Sequence, residues 1–150
     1  MDPIFGTEHE ELRKTVRRFL EHRSPESEVR RLMDTASGYD PAVWSQMADQ
    51  LGLQGLIIPE QFGGSGYGYL ELVVVLEEMG RALLCAPYFS SVVMAANLLM
   101  ASGDHDAKKD YLPSIADGSV IATVALTEDA GRWDEAGVAL PVDGGQLARS

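Results

Sequence analysis

Apolar residues in this chain change their spacing near Ser119, and no other feature limits the fold as strongly. Upstream they recur at intervals of about three and four residues, as on helices with one buried face. Leu12, Val16, Phe19 and Leu20 predict a helix over residues 8–22, opened by a capping box at Thr7-Glu8-His9-Glu10. Ser24-Pro25 reads as a cap followed by a first-turn proline, and Val29, Leu32 and Met33 give a short second helix. Asp40-Pro41 repeats that signal before Val43, Trp44, Met47, Ala48 and Leu51, with Gly52 as the stop. A fourth helix over residues 69–84 carries Leu70, Leu72, Val73, Val74, Val75, Leu76 and Met79, so it is expected to be central and buried on nearly all sides. A fifth spans residues 88–100. A sixth is capped by Asp104, turns Tyr111, Leu112 and Ile115 inward, carries Pro113 near its end and closes at Gly118.

Downstream of Ser119 the period falls to two. Val120, Ala122, Val124 and Leu126 share one side of an expected strand; Ile121, Thr123, Ala125 and Thr127 share the other. Val138, Leu140 and Val142 predict a second strand, and Asp143-Gly144-Gly145 a turn into a third. So few strands make no stable sheet alone, so the chain is expected to stop just inside a β domain. The fold class is mainly α: an all-helical domain of about six helices over residues 1–118, then the first strands of a β domain over residues 119–150.

The charge balance narrows the partners. Twelve Lys and Arg against 23 Asp and Glu leave a net charge of -11, which repels nucleic acid and anionic lipid. Arg13, Lys14, Arg17 and Arg18 are the one basic cluster, on a helix with acidic neighbours, and read as a solvated face. No apolar run is long enough to span a bilayer, and the first residues lack the form of a secretory signal. One cysteine, Cys85, excludes an internal disulfide and suits a reducing cytoplasm; it reads as an inert thiol rather than a nucleophile.

Several residue patterns admit both a chemical and a structural reading. The glycines in Gly63-Gly64-Ser65-Gly66 allow close backbone approach, but without a following Lys-Ser/Thr this is no phosphate loop, and a plain turn is favoured. Glu77 and Glu78 are adjacent carboxylates, yet neighbours on a helix diverge, so pairing of Glu77 with Arg81 explains them better than acid–base chemistry. Ser90, Ser91, Ala95 and Ala96 leave room beside the fifth helix, for close packing or for a pocket wall. His9, His22 and His105 lack metal-ligand spacing and read as surface residues. No metal site and no catalytic base is assigned.

Four stretches, in order along the whole chain, resemble the acyl-CoA dehydrogenase family. They are Leu51-Gly-Leu-Gln-Gly-Leu-Ile-Ile-Pro-Glu60 with the glycine loop after it; Glu77-Glu78-Met79-Gly80-Arg81; Lys108-Lys109-Asp110-Tyr111-Leu112-Pro113 with Gly118; and Ala125-Leu126-Thr127-Glu128. The resemblance implies that the β domain is a barrel, followed by a helical bundle, with FAD held between barrel and bundle. It implies α,β-dehydrogenation of an acyl-CoA thioester: a carboxylate takes the α-proton as a hydride leaves the β-carbon for the flavin, which an electron-transfer flavoprotein reoxidises. Such proteins are usually dimers of dimers. Val124, Leu126 and Thr127 match positions that contact the flavin. The family's catalytic glutamate belongs to the bundle and matches no residue here.

The resemblance breaks after Glu128. Where the family usually continues Thr-Glu-Pro-x-Ala-Gly-Ser-Asp, this chain has Thr127-Glu128-Asp129-Ala130-Gly131-Arg132-Trp133-Asp134. Trp133 stands in place of the serine that usually touches the thioester ligand, and Arg132 in place of a glycine. Arg132 is then expected to pair with a phosphate, and Trp133 to stack on a ring or plug the site. Ser90, Ser91 and Met94 are candidates for the wall around the acyl end, whose small side chains suit a bulky group such as a sterol side chain. Two other readings stay open: a non-catalytic subunit of a mixed oligomer, and another flavin enzyme on the same scaffold, such as a nitroalkane oxidase or flavin monooxygenase.

Overall fold

The computed structural model describes residues 5–139 with their side chains, and the backbone of 142–143 and 146–147. Six helices form the described helical block: α1 (Thr7–Arg23), α2 (Glu26–Met33), α3 (Pro41–Leu51), α4 (Tyr69–Arg81), α5 over residues 89–101, and α6 (His105–Ala116).

The helix ends follow side-chain chemistry, with two departures. Asp40 accepts from the Ala42 amide at 2.8 Å, and Asp104 from Asp106 and Ala107, as N-caps do. Gly52 ends α3 in the left-handed conformation, φ 61°. At α1, however, the cap is Gly6 rather than Thr7, and the His9 ring nitrogen Nδ1 accepts the Gly6 amide at 3.1 Å. At α2 the cap position is Pro25, because the Ser24 hydroxyl is drawn away to donate to the Ala82 carbonyl.

Val16 and Leu20 of α1, Trp44 and Met47 of α3, the Leu53–Leu56–Ile57 segment, and Leu72, Val75 and Met79 of α4 meet in one core. Burial on this scale is the main driving force for the block. α4 is buried on one side only: Leu70 and Val73 are 45% and 50% exposed, so its apolar outer face is solvent-facing within this chain. Against the sequence expectation, Tyr111 of α6 also faces out, because Leu112 and Ile115 already fill its inner side, and Met33 of α2 faces out beside the buried Val29 and Leu32.

Helices α1 and α4 are clamped by a buried carboxylate. Glu78 is 1% exposed and receives Arg17 at 2.7 and 2.9 Å, Arg81 at 2.8 Å and Arg13 at 3.3 Å. The expected Glu77–Arg81 pair does not form: Arg13 takes Glu77 at 2.6 Å, and Arg81 turns to Glu78. His9 is likewise no free surface residue, since its Nε2 meets Glu71 of α4 at 2.9 Å.

The glycine loop is a turn set by close packing. Ser65, Gly66 and Tyr67 send their amides back to the carbonyls of Gly55, Ile58 and Leu56, each at 2.9 Å. Gly64 lies so tightly on Ile58 that any Cβ would overlap its carbonyl.

After α6 the chain is extended, and among the described residues it pairs with no other strand. The period-two pattern of residues 120–127 thus gives an extended run rather than a ladder, for a ladder needs a partner strand. Val138 is also unpaired, and Leu140, Gly144 and Gly145 of the expected second strand and turn lie outside the described residues. The pairing that is described is antiparallel, between β1 (Val142–Asp143) and β2 (Gln146–Leu147), on either side of the expected turn.

Candidate functional site

The end of α6 sets where the extended run begins. Trp44 of α3 donates its indole N–H to the Gly118 carbonyl at 2.8 Å. Gly118 has φ 78°, and a Cβ there would crowd Ala48 and the Trp44 ring nitrogen, so glycine is required at this exit. The Ser119 amide then bonds Asp117 Oδ1, and the Val120 amide bonds the Ser114 carbonyl at 2.9 Å.

A second anchor lies two residues on. The Ala122 methyl packs against the cluster of Ile58, Ala96, Leu112, Ile115 and Ala116. Its amide donates to the Ser91 hydroxyl at 3.2 Å. Ser91 reaches it from α5, whose first part, Phe89–Ala96, is wound as a π-helix and whose remainder, Asn97–Ala101, is α-helical. The wider turn buries Ser91 and Val92 as a pair, then Ala95 and Ala96 as a pair, so this face is smooth and close-packed.

Beyond Ala122 the backbone is not spoken for. None of the amides of residues 123–127 meets a partner among the described residues. Thr127 is exposed, Leu126 is 48% exposed, and Val124 is half-buried. A run of unpaired N–H groups, a free hydroxyl and two apolar side chains can take a flat heteroaromatic ring: donors for its polar edge, side chains for its face. The residues that the sequence assigns to FAD therefore fit that group. A segment sealed in the core or continued as helix would not.

The other candidates are placed as follows. Ser90 is half-buried and donates to the Pro87 carbonyl at 3.1 Å. Ser91 is fully buried, with its oxygen turned to Ala122. Met94 is half-buried on the same helix. Arg132 is held by Asp134 through two contacts of 2.9 and 2.6 Å, which keep the Asp134 carboxyl below its usual range. Trp133 stands 80% exposed. A turn closed by the Gly131 amide on the Glu128 carbonyl at 2.8 Å separates these two from Thr127. Glu128 itself accepts the Ala139 amide, a link that nothing in the sequence pattern signals. Glu78, the most shifted carboxylate among the described residues, is saturated by arginines and far from acid–base duty.

Among the described residues no helix is long and apolar enough to cross a membrane, and no cluster of His, Cys, Asp and Glu is arranged to hold a metal.

Residues 6–119 match the family model described as acyl-CoA dehydrogenase, N-terminal domain, and the chain belongs to that family of oxidoreductases. It is 36% identical over 144 residues to the acyl-CoA dehydrogenase IpdE2 of Mycolicibacterium smegmatis, covering 95% of this chain. The chain spans 44% of the length of that relative. Among solved structures, the Tcur3481-Tcur3483 steroid ACAD aligns with 98% of this chain and 39% of its own, at TM-score 0.74 and 28% identity. An acyl-CoA dehydrogenase complexed with FAD from Bacillus anthracis aligns with 87% of this chain and 22% of its own, at TM-score 0.72 and 27% identity.

Proposed function

We propose that these residues are the N-terminal part of an FAD-dependent dehydrogenase that introduces an α,β double bond into an acyl-CoA thioester. Residues 1–118 form the helical domain, and 119–150 open the middle β domain. The observation that carries this reading is the run 123–127: open backbone donors and an exposed Thr127 hydroxyl, directly after a helical block of this family. The kinship with a structure complexed with FAD supports the choice of cofactor.

FAD, when bound, supplies the hydride acceptor. The chain's own residues hold it. Val124 and Leu126 would hold the ring by their side chains, and the Thr127 hydroxyl with neighbouring amides would donate to its polar edge, which would favour the reduced, negatively charged form. Ser90 and Met94, both half-buried, form the wall near the acyl end, whereas Ser91 is fully buried behind them and offers that group no surface. Arg132 and Trp133 sit toward the thioester and the CoA phosphates, and Asp134 holds the Arg132 guanidinium in place until a phosphate competes for it. No residue here is proposed as the base. The partners are an acyl-CoA, an electron-transfer flavoprotein and related subunits in a dimer of dimers, in the cytoplasm, with no role for nucleic acid or membrane. A bulky, steroid-derived acyl group is favoured by the likeness to a steroid ACAD.

The test is to purify the full polypeptide carrying these residues, record its visible flavin spectrum, and add straight-chain and steroid-derived acyl-CoA thioesters without oxygen. Bleaching, strongest with the steroid thioester, is expected. A protein without flavin, or one whose flavin no thioester reduces, removes the reading.

Arg132-Trp133 favours one second reading. In a mixed oligomer, an exposed tryptophan where the thioester-contacting serine usually stands suits a non-catalytic subunit that shapes a partner's site. Co-purification with a related subunit, with activity only in the mixture, identifies that case; full activity of the homomer excludes it.

A further inference from the structure

We propose that Ser91 is a positioning residue for the cofactor segment: its buried hydroxyl, held by the π-helical turn of α5, accepts the Ala122 N–H and fixes where residues 124–127 emerge. The inference rests on the FAD reading above and adds a residue that contacts neither cofactor nor its ring-binding run.

The contact joins positions 31 apart in sequence, at 3.2 Å, with Ser91 fully buried. It is the last hydrogen bond from the helical block to the extended run among the described residues: Val120 is tied to Ser114, Ala122 to Ser91, and residues 123–127 to nothing. Removing it moves the last hydrogen-bonded amide back to Val120 and leaves Ala122 held by the packing of its methyl alone, so the run toward Thr127 is anchored more loosely. A looser run regains conformational entropy that binding must remove again. Ser91 lies on the buried face of α5 beside Val92, and Ser90 turns instead to the Pro87 carbonyl within its own helix. Ala at 91 would preserve volume closely and delete only the acceptor.

The experiment uses the full polypeptide as wild type and as Ser91→Ala, with Ser102→Ala as control. Ser102 caps the far end of α5 and donates to the Leu99 carbonyl, and makes no hydrogen bond to the run. Two quantities are read: hydrogen exchange of the Ala122 amide and residues 123–127 without FAD, and the dissociation constant for FAD. In Ser91→Ala the Ala122 amide is expected to exchange about fivefold to tenfold faster, as loss of one neutral hydrogen bond allows, and FAD to bind about fivefold more weakly. Ser102→Ala changes neither. Ala122→Pro removes the same bond from the donor side in a backbone that is already extended. It should weaken FAD similarly, and adding Ser91→Ala to it should have no further effect. If Ser91→Ala does not fold, the Ala122→Pro comparison is decisive alone. Wild type that binds FAD, with variants that bind it within twofold of wild type, overturns the role of Ser91 and leaves the flavin reading intact. Wild type that binds no FAD overturns the flavin reading itself.

Discussion

Replacing Glu78 by Gln tests how the block is held together. The Glu78 carboxyl lies at about 2 rather than 4.5, chiefly because Arg17 donates to it, against a burial that pushes the other way. A displacement from 4.5 to about 2 corresponds to roughly 3 kcal/mol favouring the folded ionised form. That figure is an upper bound, since the Arg17 and Arg81 side chains are each 44% exposed and partly screened by water. About 2 kcal/mol is the expected loss for Glu78→Gln at neutral pH. The folded value is depressed, so the stabilisation is present in full above the unfolded value near 4.5 and fades as pH falls toward 2. Urea unfolding of the 150-residue chain, followed by its helical signal, should therefore show a gap of about 2 kcal/mol between wild type and Glu78→Gln at pH 7. The gap should narrow between pH 4.5 and 2. A gap below about 0.5 kcal/mol at pH 7, or one that keeps its size at low pH, would refute the reasoning.

Two further substitutions probe the backbone. Gly64→Ala places a methyl on the Ile58 carbonyl and should destabilise the chain by more than about 3 kcal/mol, read as a large fall in urea midpoint. Leu83 follows α4 at φ 49° with its side chain 70% exposed, so Leu83→Gly should relieve strain, give up little burial and stabilise by about 1 kcal/mol.

The helices were legible because their signals are local. Asp40 and Asp104 cap within three residues, and Gly52 and Gly118 stop helices through their own conformation. What the sequence missed depends on groups that meet from afar. Glu78 is buried because Arg13 and Arg17 arrive from more than 60 positions away, which no helical periodicity records. That competition also undid the simple Glu77–Arg81 expectation. Leu70 and Val73 read as core by composition, but one chain face offers them nothing to pack on. The extended run was legible as alternation, whereas its pairing depends on strands that do not reach it here. Ser91 was visible only as a small side chain; that its hydroxyl faces Ala122 depends on a partner 31 positions away, which no local pattern marks. For the site, the flavin run was read through family likeness, and its open amides give that reading a physical basis.

The most direct test of the central claim is amide hydrogen exchange over residues 123–127 in the full polypeptide, with and without FAD. Rapid exchange is expected without the cofactor, with marked slowing at these amides when it binds, lost in part on Thr127→Val. Bound FAD that leaves their exchange unchanged would contradict that claim.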